Sequence, residues 1–169
     1  NLVAYSPIPV LVTFTGGSIA ANAFATRTTI STVPDHFPTN INIGDLDGDG
    51  KTDLIVTHGS FNAAENGVLL YRNTSTTGTT SFASPINLGG LDYVATATGD
   101  IDGDGKLDLA VIKSNSIAIY INTGTPGTIS FVAGPVLPTG NAPHGINLGD
   151  VDGDGKADIV IALYPAVAT

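Results

Sequence analysis

The sequence predicts an all-β fold built from tandem repeats. Short apolar runs recur at regular spacing between turns rich in Gly and Pro. Thr, Ser and Asn are abundant and Gly reaches 21 of 169 residues, a mix that favours strands and turns. No stretch repeats its apolar residues at the 3.6-residue period of an amphipathic helix.

One unit reads as follows. An apolar strand comes first, as in Ile41-Asn42-Ile43 or Ile146-Asn147-Leu148. An acidic loop then turns the chain. A second strand leaves it: Leu54-Ile55-Val56, Leu109-Ala110-Val111-Ile112 or Ile159-Val160-Ile161. After a turn comes a third strand, Val68-Leu69-Leu70-Tyr71 or Ile117-Ala118-Ile119-Tyr120-Ile121. A Thr/Gly/Ser-rich turn leads to a short segment beginning Ser81-Phe82 or Ser130-Phe131. Linkers containing Pro85, or Pro135 and Pro138, run on to the next unit. At the N-terminus, Leu2 to Phe14 is rich in β-branched and apolar residues, and Pro7 and Pro9 demote it to an edge or peripheral strand.

The acidic loop occurs three times: Asp45-Leu46-Asp47-Gly48-Asp49-Gly50-Lys51-Thr52-Asp53, Asp100-Ile101-Asp102-Gly103-Asp104-Gly105-Lys106-Leu107-Asp108 and Asp150-Val151-Asp152-Gly153-Asp154-Gly155-Lys156-Ala157-Asp158. Four carboxylates within nine residues repel one another unless a cation sits among them. Positions 1, 3, 5 and 9 offer side-chain oxygens, and position 7 (Lys51, Lys106, Lys156) offers its backbone carbonyl. This is the first part of an EF-hand loop with Asp at 9 in place of the Glu at 12, flanked here by strands. An all-oxygen donor set suits Ca²⁺ over Zn²⁺, and Mg²⁺ would keep more of its waters. Three Ca²⁺ sites follow, with dissociation constants on the order of 10⁻⁴ to 10⁻³ M as for extracellular modules. Twelve of the fifteen acidic residues lie in the loops, and three Ca²⁺ ions would take the formal charge from −9 to −3.

The loops also set the phase of the chain. Their first Asp residues lie 55 and then 50 residues apart, in the range of propeller blades and related arrays. Residues 108–131 align without a gap on residues 1–24, and the stretch from Asp53 to Phe82 carries six extra residues around Asn62 to Asn66, where a hairpin loop tolerates insertion. The approximate units are 1–53, 54–108 and 109–158, with a partial unit at 159–169. Both ends supply the same strand of the repeat. The chain therefore reads as a window on a longer array, or as a protomer that continues into a neighbour. An apolar edge at one end and an incomplete unit at the other invite strand addition between repeats or subunits.

The pattern GD[LIV]DGDGKxD[LI] followed by an apolar strand resembles the FG-GAP and VCBS repeats of integrin α-subunit propellers, fungal propeller lectins and large bacterial surface proteins. Gly44-Asp45, Gly99-Asp100 and Gly149-Asp150 match the Gly-Asp start of that motif. Phe82-Ala83-Ser84-Pro85 and Phe131-Val132-Ala133-Gly134-Pro135 match its Phe…Pro segment. The resemblance implies tandem four-stranded, propeller-like blades with Ca²⁺ in the hairpin loop between the first two strands of each. It also implies a mismatch in number. Such propellers usually have seven blades and need at least four to close, so three repeats and a fraction are too few to close alone.

The remaining residues narrow the function. Net charge −9 argues against nucleic acid as a partner. No run reaches about 18 apolar residues, so no membrane span is expected. Cysteine is absent, which removes disulfides and thiolate sites; Ca²⁺ can replace them as a staple outside cells. Methionine is absent too, and the chain shows no signal peptide, as in a mature product or a segment of something longer. His36, His58 and His144 read as turn or surface residues, and no GxSxG elbow or paired base indicates catalysis, so no enzyme is expected. Asn73-Thr74-Ser75 is the sole N-x-[ST] sequon, a candidate glycosylation site. Tyr71, Tyr93, Tyr120 and Tyr164 are candidates for lining a sugar site, although aromatics on strands more often fill a core.

The expected function is an extracellular, calcium-binding structural or adhesive module, secreted or on a cell surface and suited to a surface or filamentous assembly, with a glycan or protein ligand. The alternatives are a lectin-like carbohydrate-binding domain and an accessory domain of a larger secreted enzyme.

Overall fold

The computed structural model describes residues 10–12, 28–30, 36–60, 67–89, 93–140 and 143–164. These residues form twelve strands and, among them, no helix. The strands are β1 (Val10–Val12), β2 (Thr28–Ile30), β3 (His36–Gly44), β4 (Asp53–Ser60), β5 (Gly67–Tyr71), β6 (Ile86–Asn87), β7 (Tyr93–Gly99), β8 (Asp108–Lys113), β9 (Ser116–Asn122), β10 (Phe131–Pro138), β11 (Pro143–Gly149) and β12 (Asp158–Leu163). They make two four-stranded antiparallel sheets, β3-β4-β5-β6 and β7-β8-β9-β10, and two two-stranded ones, β1-β2 and β11-β12. Each complete sheet is a meander, the geometry of a propeller blade. An acidic loop joins its first strand to its second.

Burial follows the position of a strand within its sheet. The second strands β4 and β8 and the third strands β5 and β9 carry runs of buried residues, because neighbouring sheets cover both of their faces. Continuous apolar runs such as Leu54-Ile55-Val56 and Leu109-Ala110-Val111-Ile112 fit such two-sided burial. The fourth strands β6 and β10 are largely exposed at the rim.

Three apolar layers hold the sheets face to face. Leu46, Ile55, Val68 and Leu70 of the first blade meet Leu109, Val111 and Ile129 of the second. Ala110, Ile117 and Ile119 of the second blade meet Ile146, Leu148, Ile159 and Ile161 of β11-β12. The other face of the first blade, Leu54, Val56, Leu69 and Tyr71, packs against Ile30 of β2 and Phe82. Each fully buried Leu or Ile contributes about 1.5–3 kcal/mol. Near the starts of β3, β7 and β11 the pairing register shifts at the same phase of the repeat. Between the first two blades a polar ladder adds to the packing. Thr96 Oγ1 donates to Asn40 Oδ1 (3.1 Å), and Asn42 Nδ2 donates to Thr96 Oγ1 (2.9 Å).

Some expectations need correction. Pro135 and Pro138 lie in β10, not in a linker; β10 is an edge strand with a register shift between Ala133 and Val136, which accommodates proline. Phe82 does not open the fourth strand: its backbone makes an isolated bridge to Asn73, and β6 begins at Ile86. His58 is fully buried in β4, not at a turn or surface. Tyr71 belongs to the core, and Tyr120 packs against it. The insertion expected at Asn62 to Asn66 lies outside the described residues, as does most of the Leu2 to Phe14 edge strand; its Val10–Val12 part pairs with β2.

Candidate metal centres

The three acidic loops share one backbone design. The first Asp folds its carboxylate back over the loop. Asp45 Oδ1 accepts the Gly48 N–H (2.8 Å) and Oδ2 the Gly50 N–H (2.8 Å). Asp100 does the same with Gly103 and Gly105 (2.8 and 2.9 Å), and Asp150 with Gly153 and Gly155 (2.7 and 2.9 Å). Both amides of each pair belong to glycines at positive φ, from 70° at Gly48 to 85° at Gly105. No side chain blocks these positions, since a Cβ at Gly50 would meet nothing within 4 Å. The requirement is purely conformational. Gly50→Ala is therefore expected to lower stability by about 1–2 kcal/mol through left-handed backbone strain, read as a fall in the urea midpoint at unchanged m-value. An unchanged midpoint would show that the loop tolerates another conformation.

The ninth residue ties the loop to the sheet. Asp53 is fully buried; its Oδ2 accepts the Leu46 N–H (2.9 Å) and its Oδ1 the N–H of Asn73, two residues past β5 (2.7 Å). Asp108, also fully buried, accepts from Ile101 (2.8 Å) and Asn122 (2.8 Å). Asp158 accepts from Val151 (2.9 Å). Burial pushes the Asp53 carboxyl above its ordinary value; the Asn73 and Leu46 N–H groups oppose this, and the Asp47 and Asp45 charges add to it. A cation at this point would relieve both the desolvation and the repulsion.

The structure brings together the first, third and ninth Asp of each loop. In the triads Asp45/Asp47/Asp53, Asp100/Asp102/Asp108 and Asp150/Asp152/Asp158, one oxygen from each residue lies within 4.8 Å of the other two. Oxygens bound to one Ca²⁺ at about 2.4 Å can be no farther apart than about 4.8 Å. In the first loop Asp47 Oδ2 is buried and has no hydrogen-bond partner, whereas Asp47 Oδ1 accepts the Asp49 N–H (3.1 Å). A buried carboxylate oxygen without a donor is costly unless something cationic meets it. The donor set, its convergence and this orphaned oxygen all fit a hard divalent cation.

The fifth-position carboxylates do not join the triads. Asp49 Oδ1 accepts the Lys51 N–H (2.8 Å), and its Oδ2 faces Lys51 Nζ at 3.3 Å. The Lys51 N–H holds the Asp49 carboxyl below its ordinary value. Asp104 and Asp154 pair likewise with Lys106 and Lys156, both at 3.4 Å.

Sequence reasoning missed the braces. Asn73 Nδ2 donates to Thr52 O (2.7 Å), and Asn122 Nδ2 donates to Leu107 O (2.9 Å), each closing the end of its own loop. Asn122 Nδ2 also reaches Leu46 O of the preceding loop (2.9 Å), linking two blades. The repeated Tyr71-Arg72-Asn73-Thr74 and Tyr120-Ile121-Asn122-Thr123 carried that signal. Asn73, the sequon residue, thus has its amide engaged in the loop.

Neighbouring loops lie side by side. A cleft of about 320 Å³ separates Asp45 and Asp47 from Lys106 and Leu107, and one of about 440 Å³ separates Asp100 and Asp102 from Asp150 and Lys156. His144 is exposed, its ring edge-on to Tyr164 at 3.8 Å between centroids.

The FG-GAP-like repeat family matches residues 45–111 and again residues 100–161, each match spanning two acidic loops and the strands between them. The chain belongs to the FG-GAP-like repeat family. No curated protein matches it. As an FG-GAP-like array it is a propeller-type structural repeat module, and its Asp triads are placed where they could hold a metal ion. Its described residues include no helix long and apolar enough to cross a membrane.

Proposed function

We propose that this FG-GAP-like array is an extracellular calcium-binding module, secreted or at a cell surface, whose role is structural and adhesive and not catalytic. The observation that carries the reading is the buried, partnerless Asp47 Oδ2 within a converged carboxylate triad. Ca²⁺ in each loop would be held by Asp45, Asp47 and Asp53, by Asp100, Asp102 and Asp108, and by Asp150, Asp152 and Asp158. Asp49, Asp104 and Asp154, released from their lysines, and the Lys51, Lys106 and Lys156 carbonyls would add further oxygens. The ion supplies charge neutralisation: it turns a self-repelling loop into a fixed hairpin end, so binding energy becomes folding energy.

The protein residues do the rest. The glycine amides hold the first Asp, the ninth Asp anchors the loop to its strand, and Asn122 couples the loop of one blade to the next. Such an array presents stacked blades to neighbouring repeats or subunits and offers its rim and clefts to a protein or glycan ligand. Tyr71 and Tyr120 are committed to packing, so sugar stacking on them draws no support from their positions.

Calorimetric titration of the chelator-stripped chain with Ca²⁺ tests this. The expected result is three sites per chain with dissociation constants on the order of 10⁻⁴ to 10⁻³ M. Absence of any binding heat up to about 10 mM Ca²⁺, ten times the weak end of that range, would refute it.

A further inference from the structure

Asn122, the last residue of β9, holds two acidic loops at once. Its Nδ2 donates to Leu107 O in the second loop and to Leu46 O in the first, both at 2.9 Å. Its backbone N–H donates to Asp108 Oδ1 (2.8 Å), and its Oδ1 accepts the Gly124 N–H (2.7 Å). Both side-chain N–H donors are therefore engaged, and the residue is 2% exposed.

Each partner lies within or beside a carboxylate triad. Leu46 stands between Asp45 and Asp47, and its N–H donates to Asp53 Oδ2 (2.9 Å). Leu107 directly precedes Asp108. A chain of hydrogen bonds thus runs from Asp53 through Leu46 and Asn122 to Asp108, and all four residues are buried.

The packing around this chain leaves little slack. A Cβ on Gly44, just before Asp45, would come within 2.5 Å of Leu107 Cδ1. A Cβ on Gly124 would lie 3.0 Å from Leu46 O and 2.9 Å from Thr128 O. Leu46 itself is buried with Leu109, Val111 and Ile129 of the second blade, and Leu107 packs on the same cluster. Moving the Leu46 carbonyl therefore disturbs the second loop.

We propose that Asn122 makes the first and second loops fill with Ca²⁺ cooperatively, each occupied loop raising the affinity of the other. The proposal rests on the calcium reading above. In an empty loop the carboxylates repel one another, and the residues among them are held less firmly. Asp45, Asp47 and Asp53, drawn onto one ion, fix Leu46 between them. Leu46 O then holds Asn122, and Asn122 holds Asp108 and the Leu107 carbonyl in place. Part of the second loop is thereby ordered before its own ion arrives, and that ion binds more tightly. The coupling works equally in both directions. Direct repulsion between two bound ions has the opposite sign, and salt at about 0.15 M screens it beyond about 8 Å. Asn122 lies outside both triads, so it is a positioning residue that acts through Leu46 and Asp108.

Ca²⁺ titration of the whole chain in about 0.15 M salt, followed by amide NMR, reads the loops separately, because Gly50 and Gly105 are their sixth residues. Asp47→Asn disables the first loop and Asp102→Asn the second; each keeps an oxygen for the N–H of Asp49 or Asp104. Asp102→Asn is expected to weaken binding seen at Gly50, and Asp47→Asn binding seen at Gly105, by one common factor of about 5 or more. With Asn122→Ala added, neither substitution is expected to change the dissociation constant of the other loop. Loss of bracing alone would weaken both loops and leave their dependence on each other intact. Should Asn122→Ala fail to fold, the Asn122 side-chain amide signal decides: in Asp102→Asn, filling the first loop is expected to shift it, and an unmoved signal would overturn the proposal. Equal affinity at Gly105 with and without Asp47→Asn would overturn the coupling and leave the calcium reading standing. A factor that persists in Asn122→Ala would overturn the part given to Asn122. No Ca²⁺-dependent shift at any loop glycine would overturn the calcium reading and this inference with it.

Discussion

Asp108→Asn is expected to destabilise the chain even with no metal present, by about 1–3 kcal/mol, and to abolish the proposed Ca²⁺ binding at the second loop. Asp108 is wholly buried, and its two oxygens accept from different segments: Ile101 N–H in the loop and Asn122 N–H at the end of β9. An amide has one acceptor and one donor end. Whichever way Asn turns, an NH₂ faces one of those N–H groups, leaving a buried donor unmet. Asp104→Asn is the informative comparison. Asp104 is exposed, accepts the Lys106 N–H with one oxygen and stays outside the triad. Its metal-free stability is expected to change by less than about 0.5 kcal/mol. Chelator-treated urea melts of the two variants check this. Equal midpoints would mean that the ninth Asp serves only as a ligand, without the bracing its hydrogen bonds describe.

Leu109→Ala is expected to cost about 2–5 kcal/mol. Leu109 is fully buried between the first two blades, against Leu46, Ile55, Val68 and Leu70. Truncation leaves a cavity between two sheets that are each held by strand hydrogen bonds, so the surroundings can relax only partly. At about 2–4 °C per kcal/mol for a chain of this size, the loss reads as a clear fall in Tm. Val132→Ala on the exposed rim strand β10 is expected to stay within about 0.5 kcal/mol. A similar loss from both would place the core elsewhere than between the blades.

The acidic loops were legible because local chemistry alone dictates them. Position 6 must turn and position 4 needs freedom, and all six loop glycines do adopt positive φ. The strands beside the loops were legible from their apolar runs. What escaped was set by contacts distant in sequence. Asn122 looks like an ordinary turn residue until its amide is seen on Leu46 O, 76 positions away. Asn40, Asn42 and Thr96 read as polar spacers but form a ladder between first strands. His58 lies at full burial inside β4, where no local pattern forecasts it. Pro135 and Pro138 suggested a linker because proline disfavours central strands, yet an edge strand accommodates them. Asp49 shows the limit in the other direction: spacing alone puts it with the other carboxylates, but the shorter reach to Lys51 decides where it lies.

In the proposed function Ca²⁺ staples the acidic loops and thereby the blades. Thermal unfolding of the chain in excess Ca²⁺ and after exhaustive chelation tests it most directly. Ligand at 100 times its dissociation constant stabilises by about 2.7 kcal/mol per site, so occupied loops should raise Tm by several degrees at least. An increase that titrates with Ca²⁺ is the predicted result; the same Tm with and without the ion would contradict the account.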